Sequence, residues 1–264
     1  MTTHTSVGII GYGAIGRDLA GRLLRAGHTV TVLLRPGSAS HSAVGEGMGV
    51  VDSLAGLMAV RPALVVEAAG QNALETLAPE LLAAGVTVVA ASTGALGDPS
   101  LFERLEAAAR RGGSRLVVPA GALGGLDYLA ALRGTAGASV RYTSRKPPGA
   151  WRTELAAAGH NPAAISGEIV LFEGTAAEAA RLYPRNLNAG LTVALAAGPA
   201  PVVVRVVVDP AVSLNTHEIE AESDLGMASM RFANRPSATN PKTSALTAAS
   251  LAAAVRRLVE PVVL

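Results

Sequence analysis

The chain has no cysteine, which excludes disulfides, thiolate metal ligands and a cysteine nucleophile. Lysine is almost missing too: among 22 basic residues only Lys146 and Lys242 are lysines, so arginine carries the positive charge. The formal net charge is only +2, and no basic run is dense enough to track the phosphates of a nucleic acid. Apolar stretches are broken by Gly, Pro or charge before about 18 residues, too early for a membrane span. Residues 1–6 are polar and lack the charged-then-apolar layout of a signal peptide. A soluble cytoplasmic protein is the simplest expectation. The sequence has no His-x₃-His helix and no dense acidic loop to hold a metal. It also has no Gly-x-Ser-x-Gly elbow for a nucleophilic serine.

What is present is aliphatic. Hydrophobic residues make up 50% of the 264, and much of that half is Ala and Val. Ala-rich helices on Val-rich strands suit an α/β protein, and the length allows one large domain or two moderate ones. The first apolar run, Val7 to Ile10, ends in Gly11-Tyr12-Gly13-Ala14-Ile15-Gly16 and continues into an amphipathic segment, Arg17 to Ala26. Strand, glycine turn and helix in that order are the context in which Gly-x-Gly-x-x-Gly marks a dinucleotide site. Gly11 permits the tight turn, Gly13 the approach of a pyrophosphate, and Gly16 the packing of helix on strand. The helix start at Ala14 and Ile15 then offers N–H groups and a dipole to the phosphates.

A second strand, Thr29 to Leu34, leads to Arg35, where an acid usually holds the adenosine ribose. Arginine with Ser38 and Ser40 beside it suits a 2′-phosphate, so NADP is expected to be accepted as well as NAD. Residues 36–60 give only a loose third βα unit. Pro62 to Gly70 reads as a strand running into Ala68, Ala69 and Gly70, small residues against which a cofactor can lie. A helix from Ala73 to Ala84 stops at Gly85, and a strand from Val86 to Ala91 ends in Ser92-Thr93. Asp98 or Ser100 caps a helix from Leu101 to Arg111, and Arg115 to Pro119 completes a Rossmann-type doubly wound parallel sheet. The pattern changes at Ala120. Strand-like Ala138 to Ser144 is followed by a loop, Arg145 to Trp151. Beyond it, helices Ala176 to Tyr183 and Asn188 to Ala197 alternate with strands Val202 to Asp209, Ser213 to Ala221 and Met227 to Asn234. Short turns between the strands indicate a mainly antiparallel sheet, hence a second, α+β domain. The expected organisation is a dinucleotide-binding domain over 1–121, a catalytic and dimerisation domain over 122–245, and a closing helix over 246–264.

Several pieces of the chain occur together in one family. They are Gly11-Tyr-Gly-Ala-Ile-Gly16, Ser92-Thr-Gly-Ala95, Gly121-Ala-Leu-Gly-Gly-Leu-Asp127, Arg145-Lys-Pro147, Phe172-Glu-Gly-Thr-Ala176, Pro184-Arg-Asn-Leu-Asn188, Asn215-Thr-His-Glu-Ile219, and Asn234-Arg-Pro-Ser237 with Asn240-Pro-Lys-Thr-Ser244. In this set and order the chain resembles the L-aspartate dehydrogenases, which reversibly oxidise aspartate to iminosuccinate with NAD(P). The resemblance implies nicotinamide contacts at Ala122 and Asn188 and a catalytic histidine at His217. Arg35 departs from it, since many relatives carry an acid there.

Such a reaction moves a hydride from the substrate Cα to the nicotinamide and needs the α-amine unprotonated, so a group that exchanges protons near neutral pH is required. Of the five histidines, His217 lies on a strand bracketed by Asn215, Glu218 and Glu220, and His160 in a Gly-His-Asn-Pro loop is its competitor. His217 acts either on the amine or on the water that hydrolyses the imine. A dicarboxylate needs cations or several donors at each end. Lys242 with Thr243 and Ser244, at an expected helix start, and Asn186 are the expected substrate contacts. The expected small molecules are L-aspartate, oxaloacetate and ammonia, in nicotinamide biosynthesis or in amination of oxaloacetate, and a homodimer is expected. The alternatives are a two-domain NAD(P)-dependent reductase of an imine or semialdehyde, and an NAD(P)-binding protein without turnover.

Overall fold

The computed structural model describes residues 4–183, 188–237 and 243–262. The chain forms two compact units, Met1–Gly121 with Thr247–Leu264, and Ala122–Leu246. In the first, β1 (Ser6–Ile10) pairs in parallel with β2 (Thr29–Leu33) on one side and β4 (Leu64–Glu67) on the other. With β3 (Met48–Val51), β5 (Thr87–Ala90) and β6 (Leu116–Val117) the strand order is β3-β2-β1-β4-β5-β6, all parallel. The order reverses between β1 and β4, and in such sheets ligands settle at the carboxyl ends of the strands flanking that reversal. Val7, Ile9, Val65 and Val66 are fully buried, as expected for uninterrupted apolar runs covered on both faces. Leu19, Ala20 and Leu23 of α1 (Ala14–Arg25) enter this core, as do Ala248, Leu251, Ala252 and Val255 of the last helix. The loose stretch after β2 resolves into a 3₁₀ turn (Ala39–Ala43), β3 and α2 (Leu54–Ala59), capped by Ser53. Helix α3 (Gln71–Ala83) ends near Gly85 at φ +87°, and Asp98 caps α4 (Pro99–Gly112) by accepting from the Ser100 N–H.

The second unit has β7 (Ser139–Lys146), β8 (Ile169–Thr175), β9 (Val202–Val208), β10 (Asn215–Ser223) and β11 (Gly226–Asn234), in the order β11-β10-β7-β9-β8. Only the β7–β9 pair is parallel; the others are antiparallel. Its helices are α5 (Leu126–Ala131), α6 (Arg152–Ala157), α7 (Ala176–Leu182) and α8 (Asn188–Ala197). The Thr175 hydroxyl and the Glu178 carboxylate cap α7 reciprocally. The last helix is α9 (Leu246–Val259). Two expectations need correction. Strand β8 is absent from the sequence reading, and Arg145 and Lys146 belong to β7 rather than to a loop. The ladder with β9 runs to Lys146↔Val208 and stops at Pro147, which has no N–H to donate. Among the described residues, no helix is long and apolar enough to cross a membrane, and no group of three or more His, Asp or Glu is placed to hold a metal ion.

Candidate active site

Three glycines shape the turn between β1 and α1, each differently. Gly11 has φ +90°, and a Cβ there would lie 2.7 Å from Ala69 Cα. A Cβ on Gly16 would lie 2.3 Å from the Gly11 carbonyl oxygen. Gly13 has nothing within 4 Å of the position a Cβ would take. As the N-cap of α1 it makes no side-chain cap, so the first-turn N–H groups, those of Ala14 and Ile15 among them, are available to an anion. Beside this turn lies a cavity of about 550 Å³, lined by Gly11, Tyr12, Arg35, Ser38, Ser40, Ala69 and Gly70 among others. Exposed Asp52 shares the cavity with Arg35. Small residues, hydroxyls, one guanidinium and free backbone donors fit a phosphorylated nucleotide.

Glu67 ends β4 with no exposed surface. One carboxylate oxygen accepts from the Ala69 N–H (2.8 Å), the Gly70 N–H (2.8 Å) and Ser92 Oγ (3.0 Å); the other accepts from the Ser92 N–H (3.1 Å). Burial pushes this carboxyl above its ordinary range, and the four donors pull it back. The carboxylate therefore ties Ala68–Gly70 to the loop holding Ser92 and the buried Thr93. Glu173 of β8, the acid nearest in kind, is engaged elsewhere, pairing with Arg205 at 2.8 Å.

In the second unit His217 sits mid-strand on β10, 5% exposed, in register with Ser144 of β7. Directly opposed residues share a face, and so do alternate residues along a strand, which groups His217 with Tyr142, Ser144 and Lys146. Nδ1 of His217 is 2.7 Å from the Tyr142 hydroxyl, and the two rings stack at 6.0 Å between centroids. Lys146, 3% exposed, holds its ammonium 5.1 Å from the centroid of the Trp151 ring. Burial, and then the Lys146 charge, push the imidazole down to about 3. Burial pushes the Tyr142 phenol up. Both rings are therefore neutral at ordinary pH. Tyr142 and Ser144 escaped the sequence reading: alternation along β7 puts them on one face, but only the pairing with β10 brings that face to His217. The other histidines lie elsewhere: His4, His41 and His160 are exposed, and His28 is buried in the first unit, where desolvation lowers its pKa.

Other expected contacts are placed as follows. The Ala122 carbonyl accepts from Asn234 Nδ2 at 2.8 Å. The two glycines after it answer to packing, since a Cβ on Gly124 would lie 2.9 Å from the Phe232 ring and one on Gly125 2.2 Å from Met230 Sδ. Asn188 opens α8. Thr243 accepts at its carbonyl from the Ser237 N–H, and Ser244 Oγ accepts from the Leu246 N–H at 3.1 Å, a capping role for a residue expected at the substrate. Asn186 and Lys242 lie outside the described residues.

The family model for the C-terminal domain of aspartate dehydrogenase matches residues 127–258, and that for the NAD-binding domain of homoserine dehydrogenase matches residues 11–119. The chain is 45% identical over 259 residues to L-aspartate dehydrogenase 2 of Bordetella pertussis, covering 97% of each. It is 40% identical over 252 residues to L-aspartate dehydrogenase of Ruegeria pomeroyi, covering 95% of this chain and 91% of that one. The crystal structure of aspartate dehydrogenase from Thermotoga maritima aligns at a TM-score of 0.79 and 28% identity, over 99% of both chains. The glycine turn and the strand bearing His217 both fall inside the matched ranges, and with likeness at this level over nearly the full length, the chain belongs to the aspartate dehydrogenase family.

Proposed function

We propose that the protein oxidises L-aspartate to iminosuccinate with NAD(P), water then releasing oxaloacetate and ammonia, and that it runs the reverse reductive amination. The observation that carries this reading is the buried face of β7 and β10, where neutral His217 and cationic Lys146 stand together in a chain that also bears an open dinucleotide turn. When bound, the nicotinamide supplies the hydride acceptor. As the Cα–H electron pair leaves, the amine lone pair forms the C=N bond, so the amine must enter unprotonated. Ala14 and Ile15 hold the pyrophosphate, with Gly11, Gly13 and Gly16 giving it room. Ala68, Ala69, Thr93, Ala122 and Asn188 line the rest of the cofactor. His217 touches the substrate, Lys146 offers one carboxylate its charge, and Lys242, Thr243, Ser244 and Asn186 serve the other. Val170 and Val203, exposed on β8 and β9, support a homodimer formed through this sheet.

The test is NAD(P)H consumption. Oxaloacetate with ammonia should oxidise the cofactor; oxaloacetate alone, or a monocarboxylic ketoacid with ammonia, should not. Consumption without ammonia would place the reduction on the ketone and overturn the reading. In the same assay Arg35→Asp should weaken NADP about 10- to 100-fold, the worth of a charge-assisted contact, and leave NAD nearly unchanged. Equal losses for both cofactors would remove Arg35 from the 2′-phosphate.

A further inference from the structure

We propose that Glu67 is an ionised, buried carboxylate whose charge favours the oxidised, positively charged nicotinamide over the reduced, neutral one, and so biases the bound cofactor toward the form that accepts hydride. The assignment rests on the dinucleotide site and not on the substrate proposed above. Glu67 closes β4 with no exposed surface, and the four groups that donate to it are all neutral: the N–H groups of Ala69, Gly70 and Ser92, and Ser92 Oγ. Three of them are backbone amides, which only donate, and between them they engage both carboxylate oxygens. Donors on both oxygens favour the charged form. None of the ion pairs among the described residues includes Glu67. Amides satisfy the hydrogen-bonding capacity of a buried anion but bring no opposite charge, and burial pushes the carboxyl up accordingly. A cation brought near relieves that cost and is itself stabilised.

The fold brings such a cation to this side of the sheet. In a doubly wound sheet a dinucleotide straddles the reversal of strand order, one nucleotide to each side. Here the reversal lies between β1 and β4, and Ile10, the last residue of β1, is in register with Glu67. Arg35, Ser38 and Ser40 beyond β2 take the adenosine side, which leaves the nicotinamide half to the ends of β4 and β5. Those ends carry the two loops that Glu67 joins. The carboxylate is wholly covered, so it touches neither substrate nor cofactor and acts through its field, in an interior that screens it far less than water does. The pyrophosphate and both riboses are the same in the two forms of the cofactor. Only the ring charge differs, and it is lost when hydride arrives at C4. The ratio of the two affinities therefore separates the charge of Glu67 from its part in bracing the loops.

The experiment is calorimetric titration of the full chain with NAD⁺ and with NADH, for wild type, Glu67→Gln and Glu67→Asp. Glu67→Gln should weaken NAD⁺ relative to NADH about 10-fold, which is what two unit charges roughly 12 Å apart exchange in a protein interior. Glu67→Asp keeps the charge but reaches the loops less well, so it should weaken both forms and leave their ratio close to that of wild type. An unchanged ratio in Glu67→Gln, or the same shift in both variants, would overturn the proposal. If Glu67→Gln does not fold, ¹³C NMR of the wild-type carboxyl decides, because linkage requires the same factor in reverse. Glu67 should be ionised at neutral pH and titrate about one pH unit lower with NAD⁺ bound than with NADH. A carboxyl protonated at neutral pH in the NAD⁺ complex, or equal midpoints in the two complexes, would also overturn it. These shifts in a protein inert toward aspartate would refute the proposed activity and leave this assignment standing. A wild type that binds neither form would remove the assignment together with the dinucleotide site.

Discussion

His217→Ala is expected to lower turnover of L-aspartate at least about 10²-fold, the usual loss when a donor or proton-exchanging group at the reacting centre is removed. NAD(P)H affinity should stay unchanged, because the glycine turn and the Arg35 cavity belong to the other unit. The substitution also strands the Tyr142 hydroxyl, at a cost of about 1–3 kcal/mol for a buried group losing its partner. A lower melting temperature is therefore expected, and cofactor titration under conditions where the variant is folded separates the two effects. Turnover within a few-fold of wild type would remove His217 from the chemistry.

Gly13→Ala should weaken NAD(P)H binding about 100-fold, roughly 2.7 kcal/mol, with a melting temperature close to wild type. The reason is spatial. A methyl at Gly13 meets nothing within 4 Å in the protein, so the fold tolerates it, but it occupies the space that the pyrophosphate needs. Gly16→Ala provides the contrast, since its Cβ would lie 2.3 Å from the Gly11 carbonyl and the turn must shift to admit it. That variant should melt well below wild type. Normal cofactor binding by Gly13→Ala would show that the phosphates lie elsewhere.

These two glycines also show what the sequence made legible. In the first unit most strands are apolar runs punctuated by glycine, and their βα units announce their own boundaries; the Gly- and Ser-rich stretch over 36–60, which holds β3 and α2, does not. Strand β8 was lost because Gly174 and a register shift between Val170 and Phe172 break its alternation. Lys146 looked like a loop residue because Pro147 follows it, yet a proline just past the last ladder residue ends a strand without shortening it. The apolar stripe of α9 marked a buried face but could not say which core it enters. Glu67 was invisible as a brace because three of its four donors are backbone N–H groups from two loops, which leave no trace in side-chain spacing. The Tyr142–His217 pair needed the β7–β10 register, a long-range fact that alternation alone does not contain.

The most direct measurement uses L-aspartate deuterated at Cα with NAD(P)⁺ and analyses the reduced cofactor by mass spectrometry. Deuterium on the nicotinamide C4, in step with ammonia release, is the result predicted. Reduced cofactor without deuterium, or none formed while the cofactor is bound, would contradict the account.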